Sequence, residues 1–203
     1  MSGPKQRLLA ATVEYLATNG AGDISLRQLA AALGTSHRML IYHFGSKEGL
    51  LIEVVRTMEQ RQQEAFAELE LDPGASPPDI ARRFWQRLAD PVMWPYERLF
   101  FQMYSRALQG DPSAAPLLDG IVENWLAPLT EWNRHQGIPP PAAHANARLG
   151  VAVVRGLLLD LLATGDRQGV EAAMEQFIAM IDQLSRSRAQ QQSVPKPVGQ
   201  RSC

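Results

Sequence analysis

The stretch GTSHRMLIYHFGSKEGLL, residues 34–51, decides how the N-terminal part of the chain is read. Ser36 has the side chain that caps a helix start, and the residues after it keep helical spacing to about Phe44. Gly45 breaks that helix, and Ser46 caps a long one that reaches about Leu71. At about 100° per residue, Leu40 and Phe44 share one face of the short helix, while Arg38, Met39 and Tyr42 point away from it. Ile41 and His43 lie on the flanks. His37 sits in the first turn, where free N–H groups and the helix dipole favour a phosphate.

Upstream, Ser25-Leu26-Arg27-Gln28 has the form of a capping box, in which hydroxyl and amide each satisfy an orphan backbone N–H. A helix from Ser25, a turn from Leu33 to Ser36 containing Gly34, and the helix from Ser36 make a helix-turn-helix. A first helix is expected from about Pro4 to Asn19, with Leu8, Leu9, Thr12, Tyr15 and Leu16 as its buried stripe. A helix-turn-helix reads DNA by laying its second helix in the major groove. Arg38 can donate two hydrogen bonds to a guanine edge, and Tyr42 can bond a phosphate while packing on sugar. Ser25, Arg27, Thr35, Ser36 and Lys47 can add phosphate contacts, which fix register without reading sequence. The same geometry occurs in purely structural three-helix packing, and spacing alone leaves both readings open. The spacing of His37 and His43 is not a same-face helical spacing, so no metal site is expected there.

The bulk composition narrows the class. The chain has 203 residues, 45% of them apolar, which suits one or two globular domains. Net charge is −1, yet residues 1–50 hold five basic and three acidic side chains, a weak sign of a basic N-terminal module. Cys203 is the only cysteine, which rules out an internal disulfide and a thiolate zinc site. Lys5, Gln6 and Arg7 interrupt any secretory hydrophobic segment, and no apolar run approaches the roughly 20 residues that span a bilayer. The cytoplasm is the expected location, with no membrane partner. No G-x-S-x-G, H-E-x-x-H or phosphate-loop glycine pattern is present, and His135 and His144 flank a proline loop with no nucleophile pattern, so neither an enzyme nor a cofactor is expected.

The rest of the chain reads as helix. The cluster from Asp72 to Pro78 is a loop by composition, and helices are expected at roughly 78–89, 95–109, 114–136, 142–164 and 167–187. Pro128 should kink the third of these. From Ala189 the chain is too polar to fold alone.

Residues 7–51 resemble the N-terminal domain of the TetR family of transcriptional repressors. The resemblance rests on RLLAA at 7–11, Gly20, SLRQLAAALGTS at 25–36 and LIYHFGSKEGLL at 40–51. It implies DNA contacts at Ser25, Arg27, Thr35, Ser36, His37, Arg38, Met39, Tyr42, His43 and Lys47. The chain departs from the family at Ile41, where tyrosine is common, leaving Tyr42 to carry the phosphate contact and Ile41 to pack or touch a thymine methyl. The expected fold is all-α: an N-terminal three-helix helix-turn-helix DNA-binding domain (1–51), joined by a long helix to a helical effector-binding and dimerisation domain (52–188), then a disordered tail (189–203). The implied function is a ligand-responsive regulator, a repressor in the family's usual form. It would bind a palindromic double-stranded DNA operator as a homodimer and be released by a small hydrophobic effector. An activator on the same fold, or a helical ligand-binding or interaction protein without specific DNA binding, is the alternative.

The sequence offers candidates for both implied roles of the body. In 167–187, Val170, Met174, Phe177, Ile178, Ile181 and Leu184 form a stripe, and apolar residues nearly surround 142–164, so a second subunit is the natural cover for one side. The expected dimer residues are Val153, Leu157, Leu161, Val170, Met174, Phe177 and Ile181, with Ala152 and Gly156 permitting close approach. A monomer with these helices at its centre is the alternative. Aromatic residues concentrate between 84 and 132, and Trp85, Trp94, Phe101, Tyr104 and Trp125 are the expected effector contacts, with Met93, Gln102, Met103 and Asn124 able to complete the lining. The same aromatics would serve equally as plain core.

Overall fold

The computed structural model describes residues 3–20, 24–72 and 74–192. Among the described residues the chain forms nine α-helices and no strand. The first four are α1 (Pro4–Asn19), α2 (Leu26–Ala32), α3 (His37–Phe44) and α4 (Lys47–Glu70). Of these, α2, α3 and α4 begin where the serine caps place them. Ser25 Oγ accepts from the Gln28 N–H (3.3 Å) while Gln28 Oε1 accepts from the Ser25 N–H (2.9 Å), closing the capping box. Ser36 and Ser46 accept from the backbone N–H groups of Met39 (3.2 Å) and Gly49 (2.9 Å). Leu40 is fully buried and Phe44 nearly so, in a small core with Leu26, Leu29, Ala30 and Leu50. That burial turns the other side of α3 outward.

The body contains α5 (Pro77–Leu88), α6 (Trp94–Leu108), α7 (Glu123–His135), α8 (Pro140–Thr164) and α9 (Arg167–Gln192). Two expectations need correction. The single helix expected over 114–136 is broken: a 3-10 turn spans Ala115–Leu118, and α7 starts only at Glu123. Asp119 is extended and Gly120 has φ 75°, a value that only glycine adopts without strain. The Asp-Gly pair is a turn signal that the apolar spacing on either side masks. The helix α9 runs on to Gln192, so residues 189–192 of the expected tail are helical; residues 193–203 lie outside the described residues. Pro128 sits inside α7, with helix on both sides of it.

The head does not stand apart from the body. Val13 and Leu16 of α1, Leu51, Ile52, Val54 and Val55 of α4, and Leu99, Phe100 and Met103 of α6 are buried in one cluster. Polar contacts fasten the joint. The Tyr96 hydroxyl donates to the Val13 carbonyl (2.9 Å), and Arg106 bridges Asp111 (2.7 Å) and Glu48 (3.4 Å), while Lys5 pairs with Glu53 (3.0 Å) between α1 and α4. A boundary at residue 51 therefore cuts through a shared core.

Gly49 lies in the first turn of α4, where an alanine Cβ would overlap the Phe44 carbonyl oxygen. Alanine gains about 1 kcal/mol over glycine in an open helix. Here Gly49→Ala is expected to lower stability by about 1–3 kcal/mol through overpacking, read from urea unfolding. Leu40→Ala is expected to cost about 2–5 kcal/mol in the same assay.

Candidate functional site

Two surfaces have the chemistry of a site: the outward face of α3 and a cavity inside the body. On α3, His37, Arg38, Met39 and Tyr42 are exposed, and Tyr42 keeps 78% of its surface. Ile41 is exposed beside them at 38%. Arg27, Arg38 and Lys47 make no hydrogen bond or ion pair with the described residues, so their charge is available to an anion. Lys5 and Glu48, in contrast, are already paired with Glu53 and Arg106. Thr35 is half-buried, and Ser25 and Ser36 are exposed cap residues. The Ser25 hydroxyl proton already goes to Gln28 Oε1 (2.7 Å). His43 sits differently from the others. Its ring packs edge-on to Tyr42 and Phe44, and Nε2 is buried without a hydrogen-bond partner, so that nitrogen does not face outward.

The cavity, of about 140 Å³, lies between α4, α5, α6, α7, α8 and α9. Trp85, Phe101 and Trp125 line it, as the aromatic pattern suggested; Trp94 and Tyr104 do not. The Trp94 indole instead donates to the Ala89 carbonyl (3.2 Å), and Tyr104 stacks on Phe100 (5.4 Å between centroids). Met93, Gln102, Met103 and Asn124 are also absent from the lining. Phe66, Phe84, Trp132 and Phe177 complete an aromatic wall in which Phe66 meets Phe84 and Trp132 edge-to-face at 5.1 and 5.9 Å. A second space of about 270 Å³ shares Ala81, Leu129, Trp132, Gly150, Phe177 and Ile178 with the first. The two are therefore adjacent.

Sequence reasoning missed the charged members of this wall. Glu59 of α4, Glu97 of α6 and Arg155 of α8 all line the cavity. Glu59 accepts from the Trp125 indole N–H (2.5 Å) and stands 3.9 Å from Arg155. Burial lifts its pKa above the usual carboxylate range, opposed by the Trp125 bond and by Arg155. Arg155 donates to the Ile121 carbonyl (2.6 Å) and lies over the rings of Phe100 (5.0 Å) and Tyr104 (5.8 Å). The Glu97 side chain makes no hydrogen bond or ion pair with the described residues. Burial pushes its pKa up to about 8, with the nearby Glu59 charge adding to the rise and Arg155 opposing it. The indole N–H groups of Trp85 and Trp132 are also buried without partners. One signal was legible: Arg155 is a lone charge in the apolar run Val151 to Leu159.

The dimer residues divide. Leu161, Val170 and Met174 are core side chains, at most 3% exposed, so they face inward and cannot meet a second subunit. Val153, Leu157, Phe177 and Ile181 are half-buried. The exposed apolar face of α8 instead carries Leu149, Ala152, Gly156 and Leu159, and α9 adds Met180. Among the described residues, no cluster of three or more His, Cys, Asp or Glu could hold a metal ion, and no helix is long and apolar enough to cross a membrane.

Residues 8–54 match the family described as bacterial regulatory proteins, tetR family. Over 181 residues the chain is 30% identical to the HTH-type transcriptional regulator BetI of Stenotrophomonas maltophilia (strain R551-3), covering 88% of this chain and 91% of that protein. The chain belongs to the TetR family. Its fold is shared with solved structures. A transcriptional regulator from Rhodococcus sp. Rha1 is 24% identical with a TM-score of 0.71, covering 89% of this chain and 97% of its own. A transcriptional regulator from Saccharomonospora viridis, solved in complex with choline, is 22% identical with a TM-score of 0.61, covering 86% and 93%. This TetR-family chain is thus a transcriptional regulator with a helix-turn-helix DNA-binding head, and its family consists of regulators rather than enzymes.

The folded protein keeps the Glu97 proton up to about pH 8, whereas an unfolded chain releases it near 4.5, so this group removes stability as pH rises between those values. Glu97→Gln is expected to melt higher than wild type above pH 8, with the gap closing towards pH 5, in thermal unfolding followed by circular dichroism.

Proposed function

We propose that this regulator is a cytoplasmic, homodimeric repressor that leaves a palindromic operator when a small, largely apolar effector enters the aromatic cavity. The observation that carries the reading is the position of α6. Glu97, Phe100 and Phe101 line the cavity, while Tyr96, Leu99, Met103 and Arg106 of the same helix hold α1 and α4 of the head. An effector that displaces α6 or α4 at the cavity thereby changes the seat of the head. By linkage it binds the DNA-incompetent arrangement more tightly, by the factor that it weakens DNA binding.

In this reading Arg38, Met39 and Tyr42 enter the major groove, and Ile41, exposed beside them, is placed to touch a thymine methyl. Ser25, Arg27, Thr35, Ser36, His37 and Lys47 contact phosphates. His43 contributes mainly by packing Tyr42 into position, because its Nε2 is enclosed. The effector meets Trp85, Phe101 and Trp125. The second subunit covers the exposed face of α8 and α9, with Leu149, Ala152, Gly156, Leu159 and Met180 at the seam and Val153, Leu157 and Ile181 on its flank. Ala152 and Gly156 let two such helices approach closely, and a four-helix interface gives two heads at a fixed separation. Residues 1–51 and 52–188 act as the reading and sensing parts, joined through the shared core described above.

Titration of DNA flanking the gene, followed by fluorescence anisotropy, tests this reading. Arg38→Ala is expected to lower the preference for operator over random DNA by about 10- to 100-fold. Lys47→Ala is expected to weaken both alike and to reduce the salt slope by about one. Equal losses for Arg38→Ala on both DNAs would remove it from base reading. Leu159→Asp is expected to give a folded monomer in sedimentation velocity that no longer binds the operator; an intact dimer would move the interface elsewhere.

A further inference from the structure

Resting on the reading of the cavity as the effector site, we propose that its ligand is an organic cation, with its charge held against Glu97 and its carbon surface against the cavity's aromatic rings. The argument starts from what the wall already satisfies. Of the three ionisable groups in the lining, two are committed: Glu59 accepts from Trp125 and faces Arg155, while Arg155 also donates to the Ile121 carbonyl and covers two rings. Glu97 is left over. It is enclosed by the protein yet keeps accessible surface, as a carboxyl facing a cavity does, and no described side chain bonds to it. An anionic ligand would meet two carboxyls and a guanidinium already engaged. A neutral, wholly apolar one would leave Glu97 unmatched. A cation bearing apolar groups would meet both the carboxylate and the negative faces of the surrounding rings, the arrangement that recognises alkylated ammonium groups.

The charge balance gives a readout that packing alone would not produce. The ionisable groups facing Glu97 are Glu59 from α4 and Arg155 from α8, and α5, α7 and α9 add none to the lining. With its pKa near 8 in the free protein, Glu97 is mostly protonated at pH 7. A bound cation favours the carboxylate, so binding expels a proton to solvent and tightens as pH rises, levelling off above about pH 8.

The test uses the full-length protein, with choline and its uncharged isostere 3,3-dimethylbutan-1-ol as probes. Binding is followed by calorimetry and by the emission of Trp85, Trp125 and Trp132, which line the cavity. Choline is expected to bind at least about tenfold more tightly than the isostere. Its affinity is expected to fall by nearly tenfold from pH 7 to pH 6. Calorimetry in buffers of different ionisation enthalpy is expected to show most of a proton released at pH 7 and almost none at pH 9. In Glu97→Gln the preference for choline is expected to shrink to about threefold or less and the pH dependence to flatten. No preference for choline in the wild type, no proton release, or a preference that survives in Glu97→Gln would each overturn the proposal. The wild-type proton measurement decides the matter even if the variant folds poorly. Uncharged compounds that quench the same tryptophans and release DNA would remove the cation and keep the effector site. If no compound that binds the cavity alters DNA affinity, the effector reading falls as well.

Discussion

The arrangement depends on one stiff rod. The helix α4 is 24 residues long, about 36 Å at 1.5 Å per residue, and it belongs to three buried clusters at once. Leu50 completes the core beneath α3, Leu51, Ile52, Val54 and Val55 seal the joint with α1 and α6, and Phe66 lies in the body core. Glu59, Gln62 and Phe66 reach the cavity from its far half. A helix with its i-to-i+4 bonds intact resists local bending, so α4 is one lever that joins the head to the cavity wall. The Gly49 contact with the Phe44 carbonyl marks where α3 is pressed onto the start of that lever.

Polar groups inside the body are mostly answered, which makes the exceptions informative. Gln62 is buried, but Arg87 donates to its Oε1 (3.0 Å) and its amide reaches Met93 Sδ (3.8 Å). Buried Asn133 donates to the Leu129 carbonyl (2.7 Å). Burying a polar group without a partner costs free energy, and burying an unpaired charge costs more. Against that background, among the described residues the Glu97 carboxyl and the indole N–H groups of Trp85 and Trp132 stand without partners around one cavity, and Thr130 Oγ1 of α7 is a further buried atom without one.

Charge in the head is arranged by the same economy of partners. The small positive excess of residues 1–50 is not spread evenly in space. Lys5 pairs with Glu53 between α1 and α4 and Glu48 with Arg106 of the body, while the Arg27, Arg38 and Lys47 side chains have no partner among the described residues around α2, α3 and the start of α4. A near-neutral protein thus presents a basic face where its recognition helix is.

Local chemistry determined much of this from the sequence alone. The serine caps, the glycine after Phe44 and the Leu40–Phe44 spacing act over four residues or fewer, so they place α2 to α4 and turn Arg38 and Tyr42 outward wherever the rest of the chain goes. The break at Asp119-Gly120 was also locally encoded but hidden by the helical spacing around it. Tertiary structure alone decided the sides of α8 and α9. A helix apolar nearly all round fits a core on any face, and only the packing of α5 and α7 shows that Leu161, Val170 and Met174 turn inward while Leu149 and Leu159 stay out. The cavity is likewise a tertiary fact. Glu59, Glu97 and Arg155 are far apart in the chain, and their mutual charge, burial and missing partners exist only after six helices have closed around them.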